Sequence, residues 1–170
     1  MKKILLSAAL LLCLLAGAQA KAKPQYVYTE ASDLTLIGKI HKDTPNPYHR
    51  VDTVKFKGFT RSENGQVRMS SGIAVVFKTD SPSITVKTVF RTPGYPTNTN
   101  GFSGRGYDLY IREGGQWIYA ESGLPGEKDP KAPITLISDM DGKMKECLMY
   151  LPLYSEMESV QIGVEKGSVM

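Results

Sequence analysis

The amino-acid sequence predicts an all-β domain, a sandwich or a barrel of about nine short antiparallel strands. Apolar and polar residues alternate over short runs, and β-branched and aromatic residues fill those runs. Turn signals separate many of the runs, among them Glu63-Asn64-Gly65, Asp80-Ser81-Pro82 and Asp141-Gly142. After residue 20, no stretch keeps apolar residues at helical spacing for three turns.

The predicted strands alternate most clearly in the middle of the chain. Ile73, Val75 and Phe77 share one strand face, and Gly114-Gly115 marks a hairpin turn between two later strands. The predicted strands span residues 34–40, 54–59, 72–78, 84–91, 107–112, 116–121, 134–138, 145–151 and 160–165. We expect the core to contain Ile73, Val75, Phe77, Ile84, Val86, Leu109 and Val160.

Residues 1–20 have the pattern of a secretory signal peptide. Lys2 and Lys3 precede an almost entirely apolar run, and Ala18-Gln19-Ala20 fits a small-x-small cleavage site. The apolar run is too short for a membrane span, and the leucines before Cys13 do not match a lipobox. We therefore expect cleavage after Ala20, a mature chain of 170 − 20 = 150 residues, and a periplasmic or secreted protein with no membrane span after cleavage.

Charge and cysteine content argue against two further classes of protein. Without Lys2 and Lys3 the net charge is (21 − 2) − 17 = +2, with no basic run, so we do not expect nucleic-acid binding. Cys147 is the one cysteine after residue 20 and has no partner for an internal disulfide. Its strand face is shared with Met149 and Leu151, which predicts a buried, unreactive thiol.

The sequence offers few residues for catalysis or metal binding. His41 and His49 are the two histidines, and no Gly-x-Ser-x-Gly block presents a nucleophile, so we expect no complete catalytic triad. Two distant histidines and one cysteine do not suffice for a structural zinc site. Asp139-Met140-Asp141-Gly142 is explained better by a hairpin turn than by a calcium loop. We expect neither a cofactor nor a metal.

Residues 92–105 form the longer of two long predicted loops and are the best place to look for a ligand or a partner domain. Irregular segments of this length in a compact domain often carry function. The loop offers the hydrogen-bonding side chains of Asn98, Asn100 and Arg105 and the aromatic rings of Tyr95 and Phe102.

Four aromatic residues lie on two neighbouring predicted strands: Tyr107, Tyr110, Trp117 and Tyr119. Exposed rings on such strands stack against sugars in sugar-binding sandwiches, but most strand aromatics pack in the core. Trp117 and Tyr119 share one face, and Tyr107 shares its face with Leu109 and Ile111. We expect both faces to be buried.

Gly106-Tyr107-Asp108-Leu109-Tyr110 is the most distinctive block of the sequence. It occurs in order with Arg50-Val51-Asp52-Thr53, residues 71–81 and Leu151-Pro152-Leu153-Tyr154. Over residues 21–170 the chain resembles the GxDLY domain, the N-terminal domain of SGNH/GDSL-type esterases of Bacteroidota. The resemblance implies a jelly-roll β-sandwich with an SGNH catalytic domain following in cis. It also implies esterase or acylhydrolase activity for the whole enzyme, with deacetylation of polysaccharide as one expected reaction.

None of the four SGNH catalytic blocks is present, so no catalytic residue is carried over from the family. We expect a non-catalytic module that packs against an esterase domain, in a chain cut short before that domain. A stand-alone carbohydrate-binding module and a small intact esterase are the alternatives. Gly106 would let the backbone turn into the strand, and Asp108 would tie down the preceding loop through backbone N–H groups. Asp108 and Tyr110 share a face and are candidate ligand or interface residues.

Overall fold

The structure, a computed structural model, describes residues 23–91 and 97–170 and consists of two antiparallel β-sheets. The strands are β1 (Tyr26–Glu30), β2 (Thr35–Ile37), β3 (Ala74–Thr79), β4 (Ile84–Phe90), β5 (Tyr107–Glu113), β6 (Gln116–Gly123), β7 (Ile134–Ile137), β8 (Lys145–Tyr150) and β9 (Met157–Glu165). Two short helices, α1 (Arg61–Val67) and α2 (Gly101–Arg105), and a 3₁₀ turn at Ala31–Asp33 complete the described elements. The predicted all-β class and the predicted number of strands are confirmed.

The strand order is that of a jelly roll. One sheet has the order β1-β9-β4-β7 and the other β2-β3-β8-β5-β6. When edge strand β2 is set aside, two four-stranded sheets remain whose order follows two interlocked Greek keys. The jelly-roll β-sandwich implied by the family resemblance is therefore confirmed.

The core lies between the inner faces of the two sheets, and the residues predicted for it are all buried. Their exposed fractions do not exceed the 5% of Phe77, which lies on β3 opposite Cys147 on β8. Burial raises the pKa of the Cys147 thiol to about 12. A thiol with this pKa stays protonated at neutral pH. The predicted burial of Cys147 is confirmed, and its low reactivity stays a prediction.

The strand predicted over residues 54–59 is wrong. Asp52 Oδ1 accepts hydrogen bonds from the backbone N–H groups of Val54 at 2.9 Å and Lys55 at 3.0 Å, and this Asx turn replaces extended backbone. The Glu63-Asn64-Gly65 turn lies instead within α1, which begins with a capping box between Thr60 and Glu63. The ninth strand is β1, which sequence analysis missed and which pairs with β9 at the edge of the four-stranded sheet.

Most of the longer connections lie at one end of the sandwich, which we call the loop end. The pairings of Tyr107 with Gly123 and of Asp108 with Tyr150 place the start of β5 beside the ends of β6 and β8. The connections from β2 to β3, from β4 to β5 and from β8 to β9 meet there. At the opposite end, Val169 bonds to the turn after β3. No helix in the described ranges is both long and apolar enough to cross a membrane.

Candidate functional site

The block Leu151-Pro152-Leu153-Tyr154 joins the connections at the loop end to one another. Ser70 Oγ, on the β2–β3 connection, donates a hydrogen bond to the Pro152 carbonyl at 2.5 Å. Ser155 Oγ donates to the Gly104 carbonyl of α2 at 2.6 Å. Both serines are fully buried, so water does not compete for these bonds. The β8–β9 connection is therefore held between the β2–β3 connection and α2.

The loop predicted to be irregular contains α2. The two ends of this helix account for the residue types at Asn100 and Gly106. Asn100 Oδ1 accepts a hydrogen bond from Ser103 N at 2.8 Å and caps the N-terminus. A Cβ built on Gly106 would lie 2.5 Å from the Phe102 carbonyl oxygen. Gly106 has an ordinary φ of −73°, so the close approach, and not the expected turn of the backbone, requires glycine.

The remaining loop residues proposed as one site lie in different environments. Asn98 is exposed, whereas Arg105 is buried, with its guanidinium carbon 4.5 Å from the centroid of the Phe90 ring. Tyr95 lies outside the described residues. Asn100 is engaged in the helix cap. The ligand or interface role of these residues stays a prediction.

Asp108 and Tyr110 lie on the outer face of the five-stranded sheet, as the alternation of side chains along a strand predicts. Asp108 Oδ1 accepts a hydrogen bond from Ser122 Oγ at 2.6 Å, across to β6. Asp108 was expected to bond backbone N–H groups of the preceding loop, but among the described residues it accepts from the Ser122 hydroxyl instead. Tyr110 makes edge-to-face contacts with Tyr119 and Tyr150, with ring centroids 5.8 Å and 5.9 Å apart. We call these three rings the tyrosine cluster.

The prediction that Trp117 and Tyr119 are buried is wrong. Trp117 is 37% exposed and Tyr119 is 54% exposed, because β6 is an edge strand and no element within residues 23–91 and 97–170 covers its outer face. The prediction for the other face is correct, since Tyr107, Leu109 and Ile111 are buried. The outer face of the sheet thus presents aromatic rings beside the Asp108–Ser122 hydrogen bond.

Four apolar side chains are exposed together at the loop end: Phe102 at 54%, Tyr150 at 39%, Leu153 at 45% and Tyr154 at 41%. We call this group the apolar patch. Phe102, Tyr150 and Leu153 border a groove of about 490 Å³, and Asp108 lies in its lining. The groove links the apolar patch to the tyrosine cluster.

A second concavity at the loop end, the charged cleft, is lined by His49, Arg68, Arg91 and Glu156 and has a volume of about 480 Å³. Glu156 is 7% exposed and His49 is 8% exposed. Glu156 Oε1 lies 3.0 Å from His49 Nε2, 3.5 Å from Arg68 Nε and 3.8 Å from an Arg91 Nη. Burial lowers the pKa of His49, and the two arginines lower it further against the opposing effect of Glu156.

No local sequence pattern indicates Glu156 as a site residue, because its partners are distant in the chain. Glu156 and His49 are separated by 107 positions, and no local spacing connects them.

In the described part of the chain, neither histidine is hydrogen-bonded to the side chain of a serine or cysteine, and the ring centroid of His41 lies 4.9 Å from that of Phe56. The charged cleft can therefore hold and orient a polar ligand through its arginines and Glu156.

A family model for the N-terminus of SGNH-hydrolase-type esterases, GxDLY, matches residues 25–170. The chain belongs to the GxDLY family. A crystal structure of a protein described as a GDSL-like lipase from Bacteroides ovatus superposes on this GxDLY domain with a TM-score of 0.79 and 34% sequence identity, covering 85% of this chain and 42% of that one.

A salicylyl-acyltransferase from a tetracycline biosynthetic pathway shares the fold of the GxDLY domain, with a TM-score of 0.56 and 17% identity. The match covers 85% of this chain and 40% of the acyltransferase. The GxDLY domain therefore spans less than half the length of either protein. No curated protein matches the chain.

The block that characterises the GxDLY family has an inner and an outer half in this domain. Tyr107 and Leu109 are fully buried, and Tyr107 Oη lies 2.6 Å from Thr88 Oγ1 on the opposite sheet. Asp108 and Tyr110 face outward beside the groove. The inner half contributes to the core, and the outer half contributes to the surface at the loop end.

Proposed function

We propose that this GxDLY domain is the non-catalytic N-terminal module of an exported SGNH-type esterase and that it packs against a catalytic domain following in cis. The family match supports this, because GxDLY is the N-terminus of such esterases. The similar GDSL-like lipase supports it too, since more than half of that chain lies outside the matched part. The ester chemistry would then belong to the second domain, and the expected substrate class is acetylated polysaccharide.

The apolar patch is the observation that carries the docking role. Exposed apolar groups that lie together on a soluble domain are typical of an interaction surface. The patch is preorganised, because the buried hydroxyls of Ser70 and Ser155 hold the connection that carries Leu153 and Tyr154. A partner that covers it would gain apolar burial at little cost in loop ordering.

The test measures binding between two separately purified parts, the full GxDLY chain and the part of the Bacteroides ovatus GDSL-like lipase outside the match. We expect a complex whose affinity falls at least about tenfold in a Phe102→Ser, Leu153→Ser double variant. Ile40→Ser is the control, since Ile40 is 91% exposed and lies outside the apolar patch. Equal affinity for the double variant and the control would contradict docking through the patch.

The same preparations test where the catalysis resides. We expect the GxDLY chain alone to leave p-nitrophenyl acetate unhydrolysed above background, and the catalytic part to hydrolyse it. Ester turnover by the GxDLY chain that disappears on His49→Ala would mean that this chain is itself an esterase. Export is tested by mass spectrometry of the protein outside the cytoplasm, where we expect Lys21 as the first residue.

The tyrosine cluster favours a second candidate function, a carbohydrate-binding module. Tyr119 and Tyr150 present exposed ring surface for sugar stacking, and the Asp108–Ser122 pair offers hydrogen-bonding groups beside them. This function predicts retention of the chain on insoluble acetylated xylan and loss of retention in Tyr119→Ala. An exposed aromatic away from the cluster, as in Phe59→Ala, is the control.

A further inference from the structure

The group formed by Arg68, Arg91 and Glu156 in the charged cleft has more positive charge than Glu156 alone neutralises. Arg68 and Arg91 both face Glu156, so one guanidinium charge remains uncompensated among these groups. His49 adds no charge at neutral pH, because its pKa is lowered from 6.5. Asp52 is a second carboxylate of the lining and balances its net charge, but it is hydrogen-bonded to the backbone N–H groups of Val54 and Lys55 and forms no ion pair with either arginine, so the excess charge is local to Arg68 and Arg91.

The hydrogen-bonding capacity of the cleft is also incompletely used within the described residues. Arg68 Nε is buried without a hydrogen-bond partner, and the Arg91 guanidinium approaches Glu156 no closer than 3.8 Å. The three contacts of Glu156 all reach Oε1, which leaves its buried carboxylate with Oε2 as a further acceptor. Guanidinium donors therefore lie beside an available carboxylate acceptor.

We propose that the charged cleft binds a hydroxylated carboxylate, of the kind found in a uronic-acid residue of a polysaccharide. Guanidinium groups bind carboxylates through paired, charge-assisted hydrogen bonds, and this supplies the ligand's carboxylate with donors from Arg68 and Arg91. Glu156 Oε2 accepts a hydrogen bond from a ligand hydroxyl. The need for both a carboxylate and a hydroxyl distinguishes a sugar acid from a simple anion and from a neutral sugar.

The size and rigidity of the cleft fit such a ligand. Its volume of about 480 Å³ lies in the range of small-molecule sites. Asn46 Nδ2 donates to the Met157 carbonyl at 2.8 Å, and Asn46 Oδ1 accepts from Tyr48 N at 2.8 Å. These bonds fix the segment that carries His49 against the start of β9. The charged cleft and the groove beside the apolar patch share no lining residue, so ligand binding here is distinct from docking.

The experiment compares three probes, D-glucuronate, D-glucose and propionate, by calorimetric or NMR titration of the full chain. D-Glucuronate carries both the carboxylate and the hydroxyls, whereas each of the other probes carries one. We expect D-glucuronate to bind at least about tenfold more tightly than either. Arg91→Gln should weaken its binding by about tenfold or more, whereas Arg61→Gln, which removes an equal charge from an exposed position outside the cleft, should not.

Each other outcome overturns the proposal. Equal affinities for D-glucose and D-glucuronate would show that the carboxylate is not recognised, and equal affinities for propionate and D-glucuronate would show the same of the hydroxyls. Unchanged binding in Arg91→Gln would place the ligand elsewhere. No detectable binding of D-glucuronate would also refute the site. The side chain of Arg91 is 60% exposed, so we expect the variant to fold, which a thermal melt checks.

Discussion

Replacing Phe77 by alanine tests the strand register on which the core depends. Phe77 is 5% exposed and lies opposite Cys147, on the inner face of the five-stranded sheet. The substitution removes the whole buried phenyl ring and leaves a cavity, which together cost about 3–5 kcal/mol of unfolding free energy. For a domain of this size, each kcal/mol lowers the melting temperature by about 2–4 °C, so we expect a loss of about 6–20 °C.

Urea unfolding monitored by the fluorescence of Trp117, the one tryptophan of the chain, measures the change. Phe102→Ala is the matched control, because Phe102 is 54% exposed and should lose less than about 1 kcal/mol. A loss below about 1 kcal/mol for Phe77→Ala, or equal losses for the two variants, would refute the assigned register.

Three further results are expected. Gly106→Ala should destabilise the protein by about 1–3 kcal/mol in urea titrations, because its Cβ would lie 2.5 Å from the Phe102 carbonyl oxygen, whereas Gly126→Ala, which faces open space, should not. Because burial lowers the pKa of His49, the free energy of unfolding should be largest above about pH 6.5 and fall as the pH falls below that value. His49→Gln should weaken this pH dependence, and an unfolding free energy that rises on acidification would contradict the expected direction. Cys147 should react with a thiol reagent after unfolding in urea but not in the native protein at neutral pH, since its pKa is raised to about 12.

The alternation of apolar and polar residues predicted eight of the nine strands because it marks strands whose inner face is covered. The same signal failed over residues 54–59, where Asp52 bonds the next backbone N–H groups and closes a turn. It also failed for β1 (Tyr26–Glu30), which lies at a sheet edge with Val27 52% exposed. Edge strands have weaker patterns, since part of each face meets solvent.

The candidate site was predictable to the extent that a period of two sets its geometry. That period placed Asp108 and Tyr110 outward and Tyr107 inward, as the structure has them. It did not show whether an outward face is covered, and for this reason the burial of Trp117 was predicted wrongly. Coverage depends on what packs over the outer face of β6, and local residue spacing does not determine that.

The sequence by itself determined the all-β class, the inner face of most strands, the buried state of Cys147 and the blocks of the GxDLY family, because these depend on residue type and local spacing. Only the tertiary structure decided that His49, Arg68 and Arg91 converge on Glu156, or that Phe102 and Leu153 meet in one patch. Those contacts join residues tens of positions apart. They form because the jelly-roll order brings separate connections to one end of the sandwich, and the strand order depends on pairing across the whole sheet.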